Sequence, residues 1–343
     1  MAYTTVNKST DYFNTKLYTG NNSSSHAITG VGFQPDWTWI KAQNYAESHR
    51  LFDAVRGASN YITANSSGAE SSSIPLTSFD SDGFTIGTTD NSVNGSYNYA
   101  SWNWKAGTTS GISGGDITPS SYSFSTVSGF SVVKYTGNGS TGATVAHGLG
   151  AAPKMVMVKG LGDTYGWKVW HTDLASGKTL NLHNNNAEAT DSNIISASSS
   201  TTFTTTGTYS VNESGSDYVA YCFAEVRGFS KIGSYTGNGN DKGPFIYTGF
   251  KPAFVIIKKS TGSAQDWIMI DNKRGVFNTF GERLYPNLSN AEDTSGEYFD
   301  FYSNGFVAKT NTALWNNDNS TYVYMAFAEA PLVGSNNVPC TAR

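Results

Sequence analysis

The tetrapeptide YTGN occurs three times in this chain, at Tyr18–Asn21, Tyr135–Asn138 and Tyr235–Asn238. Successive copies begin 117 and then 100 residues apart. A period near 100 residues indicates tandem domains of one fold, because solenoid repeats are only about 20–50 residues long. Three copies of one domain favour a multivalent or structural role over a catalytic one.

Each YTGN is followed by the same landmarks in the same order. A strand entry marked by Gly and Pro comes first, with the sequences GFQPDWTWIK from Gly32, GLGAAPKMVMVK from Gly148 and GFKPAFVIIK from Gly249. A second strand and an Ala-Glu pair come next. A closing aromatic strand ends each repeat, with the sequences YASWNWKAG from Tyr99, YVAYCFAEV from Tyr218 and YVYMAFAEA from Tyr322. Each repeat is therefore a unit of about 100 residues, an ordinary size for a domain.

Apolar residues alternate along these strands with the period of two that is typical of half-buried β-structure. Trp37 and Trp39 share one face of the first strand, and Trp102 and Trp104 share one face of the closing strand. The residues that align with the second pair in the later repeats are Tyr221, Phe223, Met325 and Phe327. We expect these six residues to form the cores of the sandwiches.

The composition favours an all-β fold. Only 14% of the 343 residues are charged, against about 25% in ordinary globular proteins. Aromatic residues also reach 14%, and there are 36 glycines. Short strands separated by Asn-Gly and Asp-Gly turns indicate antiparallel two-layer sheets. The predicted fold is three tandem β-sandwich domains of one repeated fold, of a jelly-roll or lectin-like type.

Composition also places the boundaries between the repeats. The first sandwich, with an N-terminal arm, is expected over 1–107, the second over 122–227 and the third over 228–330. Residues 108–121 are rich in Gly, Ser and Thr, which predicts a flexible connector. Residues 331–343 contain two prolines and show no periodicity, which predicts an extended C-terminal arm.

Charge and hydropathy argue against several classes of partner. A net charge of −4 gives no electrostatic reason to bind nucleic acid or an anionic membrane. No apolar run approaches the roughly 18 residues of a membrane span. The N-terminus lacks the basic and apolar regions of a secretory signal. Cys222 and Cys340 occupy non-equivalent positions, which argues against a disulfide framework, so we expect synthesis in a reducing cytoplasm.

Acidic residues are the first candidates for chemistry. The Ala-Glu pair gives one glutamate per repeat, and an aspartate precedes each of them by 15 to 21 residues; these residues are Asp53, Glu70, Asp173, Glu188, Asp271 and Glu292. Two carboxylates retained through duplication are compatible with a glycosidase-like pair. The alternative is that they stabilise turns or pair with the nearby Arg56 and Arg274, and we favour this structural interpretation.

Metal and cofactor sites are not expected. The five histidines, His26, His49, His147, His171 and His183, do not recur at one position in all three repeats. The sequence contains no HxH, HExxH or CxxC spacing and no nucleotide-binding fingerprint. The segment Asn238–Gly243 resembles a calcium loop but lacks the later bidentate glutamate, so we interpret it as a turn.

Aromatic residues within polar loops are candidates for contact with glycans. Tyr45, Tyr165 and Trp315 lie among Asn, Asp, Gly and Ser. A ring can pack on the C–H face of a pyranose while neighbouring amides and carboxylates bind its hydroxyl groups. The alternative is that each ring only covers the end of its own sandwich, since single exposed aromatics need no special explanation.

Five segments together carry a resemblance to a known family. They are GFQPDWTWIK from Gly32, SHRLFDAVRG from Ser48, SFDSDGFTIG from Ser78, WNWKAG from Trp102 and the C-terminal FAEAPLVGSNNVPCTAR from Phe327. The chain resembles, over nearly its whole length, a repeat family common in tail-fibre-like and other virion surface proteins of tailed bacteriophages, marine ones in particular. The resemblance implies a virion structural protein and provides no catalytic residues.

The expected function is therefore a non-enzymatic structural protein on the phage particle, as a tail fibre, a head fibre or a capsid decoration. Its expected partners are other virion proteins and further copies of itself, with a trimer as the expected oligomer. Residues 1–12 and 331–343 are the expected attachment segments. One alternative is a lectin-like fibre that binds host-surface glycans through its loop aromatics. A depolymerase that uses the recurring acids is a further alternative.

Overall fold

The chain is all β. The computed structural model describes residues 4–162, 164–192, 194–207, 209–275, 278–296 and 298–331. Strands make up 41% of the chain and helical residues 1%. All ladders between the named strands are antiparallel. The helical residues form one 3₁₀ turn, Ser9–Asp11.

Each sequence repeat contributes its own set of strands. The first repeat forms β1 (Phe13–Thr19), β2 (His26–Thr29), β3 (Trp37–Ala42), β4 (Arg50–Asp53), β5 (Tyr61–Thr63), β6 (Leu76–Asp80), β7 (Gly83–Ile86) and β8 (Asn98–Trp104). The second forms β9 (Ser121–Ser125), β10 (Phe130–Thr136), β11 (Thr144–Ala146), β12 (Met155–Gly160), β13 (Lys168–His171), β14 (Lys178–Thr179), β15 (Ala189–Thr190), β16 (Ile195–Ser198), β17 (Thr202–Thr205) and β18 (Asp217–Phe223). The third forms β19 (Ser230–Thr236), β20 (Lys242–Tyr247), β21 (Pro252–Lys259), β22 (Ile268–Asp271), β23 (Phe299–Tyr302), β24 (Gly305–Lys309) and β25 (Thr321–Ala328).

The strands of each repeat form a large sheet and a small sheet. The large sheets have the orders β1-β8-β3-β4-β5, β13-β12-β18-β10-β9 and β19-β25-β21-β22, and the three-stranded small sheets have the orders β2-β7-β6, β11-β17-β16 and β20-β24-β23. A short two-stranded ladder of β14 and β15 is additional. An apolar cluster fills the space between the two sheets of each repeat. The pairs that meet in the small sheets at equivalent places are Ile28 with Phe84, Val145 with Phe203, and Ile246 with Phe306.

The other face of each large sheet packs into one apolar core that all three repeats share. This core contains Trp37, Trp39, Trp102 and Trp104 of the first repeat together with residues of the other two. Ring pairs join every combination of repeats: Trp37 with Tyr221 at 4.6 Å, Phe13 with Phe327 at 4.9 Å, and Phe223 with Phe327 at 6.2 Å between centroids. The repeats are therefore packed around a common centre.

This arrangement corrects one expectation and confirms another. The six aligned residues of the closing strands are all buried, as predicted, and Trp37 and Trp39 share a face as predicted. However, the expectation that they form the core of each separate sandwich is wrong, because all of them lie in the shared core. The interior of each repeat is filled by the opposite faces, which carry Ile40, Val158 and Ile257.

The YTGN motif closes the same loop in every repeat. In the second repeat, Tyr135 Oη donates to the backbone oxygen of Val211 at 2.6 Å, and the Asn138 amide donates to Oδ1 of the buried Asn212 at 2.9 Å. A Cβ on Gly137 would lie 2.2 Å from the backbone oxygen of Glu213, so only glycine fits there. The first and third repeats show the same contacts through Tyr18, Gly20, Asn21, Tyr235, Gly237 and Asn238.

The connector between the first two repeats is ordered, so the prediction of a flexible segment over 108–121 is wrong. Ile112 and Ile117 are buried in the core of the second repeat, and Ile117 forms a parallel bridge with Val145. The residues that flank the segment are held together, because the carboxylate of Asp36 accepts hydrogen bonds from the Ala106 amide and from Ser123 Oγ. Two isoleucines thus anchor this Ser/Gly-rich stretch in the second repeat.

The structure describes most of the N-terminal attachment segment but only the first residue of the C-terminal one. Residues 4–12 of the N-terminal segment pack against the body of the chain: Val6 is fully buried in the shared core, and Thr5 Oγ1 donates to the backbone oxygen of Val127 at 3.0 Å. Pro331 is buried. Residues 332–343, which hold Cys340, lie outside the described residues, whereas Cys222 is a buried free thiol.

Candidate functional site

In the first repeat, the recurring acids belong to a buried ion-pair cluster. Arg56 Nε donates to Asp53 Oδ2 at 2.5 Å, and Arg56 Nη1 donates to Glu70 Oε1 at 2.9 Å. Arg56 Nη2 donates to the backbone oxygen of Leu51 at 3.0 Å. Asp53 is fully buried. Burial alone would lower the pKa of Arg56, but Asp53, Tyr221 and Glu70 raise it above its usual value, so the guanidinium stays charged.

The third repeat has the same cluster at equivalent positions. Arg274 donates to Asp271 Oδ2 and to Glu292 Oε1, both at 2.6 Å, and to the backbone oxygen of Met269 at 3.1 Å. Burial raises the pKa of Glu292, although Arg274 opposes this shift. The nearest partner of both carboxylates is therefore an arginine of the same repeat.

The second repeat departs from this pattern. Strand register defines the equivalent position, which pairs with Trp37 in the first repeat, Met155 in the second and Phe254 in the third. The residue at this position is Asp53 in the first repeat, His171 in the second and Asp271 in the third. Asp173 was expected to be the recurring acid, and this is wrong, because it lies two residues further on and is exposed. His171 accepts a hydrogen bond from the Asp173 amide at Nδ1 and donates from Nε2 to the backbone oxygen of Tyr324.

Whether this position holds an aspartate or a histidine correlates with the side chain that the neighbouring repeat places beside it. Tyr221 Oη of the second repeat donates to Asp53 Oδ2 at 2.7 Å, and Trp102 Nε1 of the first repeat donates to Asp271 Oδ2 at 3.0 Å. The third repeat has Met325 at the place of these two donors, and a thioether has no hydrogen to donate. An aspartate occurs where the neighbour supplies a donor, and a histidine occurs where it does not.

The Ala-Glu pair joins each repeat to the next through its backbone. The three equivalent bonds run from Glu70 N to Leu161 O at 2.8 Å, from Glu188 N to Ser260 O at 2.8 Å and from Glu292 N to Gln43 O at 2.7 Å. They link the first repeat to the second, the second to the third and the third back to the first. The backbone N–H groups of the three recurring glutamates are thus the donors in a closed ring of hydrogen bonds between the repeats.

A second ring of bonds runs in the opposite sense. The donors are ring N–H groups, and the acceptors are backbone oxygens: Trp167 Nε1 to Thr63 at 3.0 Å, Trp267 Nε1 to Asn181 at 2.9 Å and His49 Nε2 to Tyr285 at 3.0 Å. In the first repeat, the tryptophan is replaced by a histidine that also accepts a bond from Trp39 Nε1 at 2.8 Å. The two rings give the chain approximate threefold symmetry.

Three buried lysines were missed by the sequence reasoning. Lys41, Lys159 and Lys258 are the next-to-last residues of β3, β12 and β21, the strands that follow the Gly/Pro entries, and all three are fully buried. Each ammonium donates to the backbone oxygen of the next residue at 2.6–2.7 Å, and Lys258 also reaches Asn185 of the second repeat at 3.2 Å. Burial lowers the pKa of Lys41 to about 8 and that of Lys258 to about 7. The sequence signal that could have identified them is a lysine at the end of the same strand segment in all three repeats, in DWTWIK, MVMVK and FVIIK.

The three candidate glycan-contact residues differ in how far their side chains are exposed. Trp315 is 2% exposed, and its Nε1 donates to the backbone oxygen of Lys309, so the expectation that it is an exposed loop aromatic is wrong. Tyr165 is half-buried. Tyr45 is 38% exposed and stacks on Tyr97 with 4.1 Å between centroids.

Other exposed aromatic residues were not anticipated. Phe245, Tyr247 and Tyr302 are 49%, 61% and 43% exposed. They lie on the two edge strands of the small sheet of the third repeat, β20 and β23. The period-two alternation in KGPFIY and FDFY predicts that these rings and the residues next to them in sequence point to opposite faces of the sheet. Which of the two faces is exposed to solvent depends on how the small sheet packs, and the sequence does not show this.

Three of the histidines are buried and bonded to backbone groups. His49, His147 and His171 are buried, and each donates or accepts hydrogen bonds with backbone groups. Among the residues that the structure describes, no group of three or more His, Cys, Asp and Glu side chains could hold a metal ion. Within the same ranges, no helix has the length and hydropathy needed to cross a membrane.

Comparison with known proteins identifies a family. A family model described as a domain of unknown function, DUF7483, matches residues 8–331. No curated protein and no solved structure matches the chain. The matched segment extends from the 3₁₀ turn to just beyond β25 and so includes all three repeats. The chain therefore belongs to the DUF7483 family.

Proposed function

We propose that this chain is a non-enzymatic structural protein on the surface of a bacteriophage particle, as a tail fibre, a head fibre or a capsid decoration. In this role it is made in the host cytoplasm and acts in particle assembly and host-surface contact. The observation that carries the proposal is the closed ring of equivalent bonds between the repeats. The polar groups kept through duplication hold the repeats together, which is the requirement of a rigid building block.

The environment of the acids supports a structural role over catalysis. A general acid or base must reach a substrate proton, whereas Asp53 and Asp271 are fully buried and each bonds to an arginine and to an aromatic donor of another repeat. The depolymerase alternative is accordingly the less favoured proposal. Release of reducing ends from a host polysaccharide by the purified chain would support it.

The lectin-like alternative has a specific observation in its favour. Among the described residues, five aromatic side chains are more than one third exposed: Tyr45, Tyr209, Phe245, Tyr247 and Tyr302. Exposed ring faces of this kind can pack on the C–H faces of sugar rings. Glycan binding is compatible with the structural role and would specify how the particle contacts its host.

The proposed partners are other virion proteins and further copies of this chain. A homo-oligomer, with a trimer as the expected state, stays a prediction from the symmetry of phage appendages, and mass photometry of the purified chain tests it. Residues 331–343 stay the proposed attachment segment. Deleting them should abolish incorporation into particles or oligomerisation, while normal assembly of the truncated chain would contradict that assignment.

The proposal is tested on intact particles of the phage that carries the coding sequence. Antibodies raised against the purified chain should label particles purified on a density gradient, as seen by immunogold electron microscopy. Mass spectrometry of the same particles should find peptides of the chain in stoichiometric amounts. Chain present in infected-cell lysate but missing from purified particles would contradict the proposal.

A further inference from the structure

We propose that Phe245, Tyr247 and Tyr302 form a binding platform for a neutral polysaccharide. We call these three side chains the aromatic platform. This inference deepens the proposed host-surface contact and rests on it for its biological setting. The geometry itself comes from the small sheet of the third repeat, in which β24 lies between β20 and β23.

The register of this sheet brings the three rings together on one face. Tyr247 pairs with Gly305, and Gly305 pairs with Tyr302 on the other side. The two tyrosines therefore flank a residue without a side chain, on strands separated by about 10 Å. A Cβ on Gly305 would lie 2.7 Å from Cζ of Phe245, so the phenylalanine ring covers this gap. The centroids of Phe245 and Tyr302 are 6.1 Å apart, so these two rings are in contact, and Tyr247 lies on the same face at the register position opposite Gly305.

The fold does not require these aromatics, as the other repeats show. The inward pairs Ile246–Phe306, Ile28–Phe84 and Val145–Phe203 fix the equivalent positions in the three small sheets. Small or polar residues replace the platform elsewhere: Ala27 and Thr144 for Phe245, Thr29 and Ala146 for Tyr247, and Asp80 for Tyr302. Large exposed rings at these small-sheet positions in only one of three copies of the fold indicate a role in binding and not in packing.

Polar groups at the edge of the platform match a ligand that carries hydroxyls. Tyr302 Oη donates to Asp300 Oδ2 at 3.2 Å, and the same oxygen lies 3.3 Å from Lys309 Nζ. The ammonium also donates to Thr279 Oγ1 at 2.7 Å. The carboxylate and the ammonium compensate each other's charge beside the rings. A ligand with apolar C–H faces and uncharged hydroxyl groups fits this combination better than an anionic one.

The exposed area selects a sugar over a protein partner. An aromatic side chain offers about 150–250 Å², so exposures of 49%, 61% and 43% leave about 300 Å² of accessible surface on the platform. A stable protein interface needs about 800 Å² from each partner. Two or three pyranose rings need far less. The platform is therefore large enough for a short stretch of polysaccharide and too small to anchor another protein by itself.

The test uses the full-length chain and an array of neutral oligosaccharides that includes maltohexaose, cellohexaose, mannohexaose and chitohexaose. Isothermal titration then measures the affinity of the strongest ligand. The variants are Phe245→Thr and Tyr247→Thr, which introduce residues that the other repeats carry at these positions. Tyr209→Ala removes an exposed ring of the second repeat and serves as the matched control. Thermal melts confirm that every variant is folded.

We expect saturable binding of at least one neutral oligosaccharide, with an affinity about tenfold weaker or worse in each platform variant and unchanged in Tyr209→Ala. Three results would overturn the inference: no saturable binding to the array, binding of anionic glycans alone, or binding lost in Tyr45→Ala and retained in Tyr247→Thr. None of them affects the labelling of virions, so failure of the platform is distinguishable from failure of the structural role.

Discussion

The indole nitrogen of Trp102, in the first repeat, donates a 3.0 Å hydrogen bond to the buried carboxylate of Asp271, in the third repeat. The guanidinium of Arg274 pairs with that carboxylate and lies 5.4 Å from the centre of the indole ring. One contact thus joins a core aromatic to a recurring acid across the boundary between repeats. It indicates that these acids stabilise the assembly of the three repeats.

Replacing Trp102 by phenylalanine tests this contact. The change keeps an aromatic ring in the core but leaves Asp271 with one donor fewer. Trp104→Phe is the matched control, because Trp104 is equally buried and its Nε1 has no hydrogen-bond partner among the described residues. Urea unfolding should show that Trp102→Phe costs about 1–3 kcal/mol more than the control. Equal losses would show that the bond does not contribute.

Removing the whole Trp104 side chain tests the shared core. Trp104 stacks on Trp37 with 4.2 Å between centroids and lies 5.8 Å from Phe254 and from Phe327 of the third repeat. Trp104→Ala should therefore cost about 3–5 kcal/mol and lower the melting temperature of the whole chain. A melting temperature that stays at the wild-type value would contradict the assignment of Trp104 to the core.

The glycine of YTGN provides a third prediction. Gly137→Ala places a Cβ 2.2 Å from the backbone oxygen of Glu213, whereas a Cβ on Gly162 meets nothing within 4 Å. Backbone must move to accommodate the first change, at a cost of about 1–3 kcal/mol. Gly162→Ala should be close to neutral. Similar denaturation midpoints for the two variants would refute the steric explanation of the motif.

His171 predicts a loss of stability in mild acid. Burial lowers the pKa of His171 to about 4, although Asp173 opposes the shift, and the unfolded value is near 6.5. Between these values the unfolded chain binds more protons than the folded chain, so stability falls as the pH decreases. Protonation of His171 in the unfolded chain should therefore destabilise the folded state progressively from pH 7 to pH 5. In urea unfolding, His171→Gln should lose less stability over this interval, and an identical pH dependence would contradict the prediction.

Local features of the fold were predictable from the sequence. Strand periodicity placed Trp37 and Trp39 on one face of their strand, and the structure agrees. The Asn-Gly and Asp-Gly turns and the low charge indicated an all-β chain correctly. These predictions depend only on neighbouring residues, which a single sequence contains.

Features that depend on how sheets meet were not predictable. Periodicity identifies the two faces of a strand but not which other sheet covers each face, so the shared core was missed. Trp315 lies in a polar stretch, yet its ring turns inward to contact Tyr298 and Phe299. Asp173 was matched to Asp53 by counting residues to the glutamate, whereas strand register assigns that position to His171.

Calorimetry of the full chain tests most directly whether the three repeats form one unit. Because they share a core and are joined by two rings of hydrogen bonds, we predict a single unfolding transition with equal calorimetric and van't Hoff enthalpies. Trp102→Phe should shift this transition as a whole. Two or three separable transitions, with only one of them displaced by the substitution, would contradict the shared core.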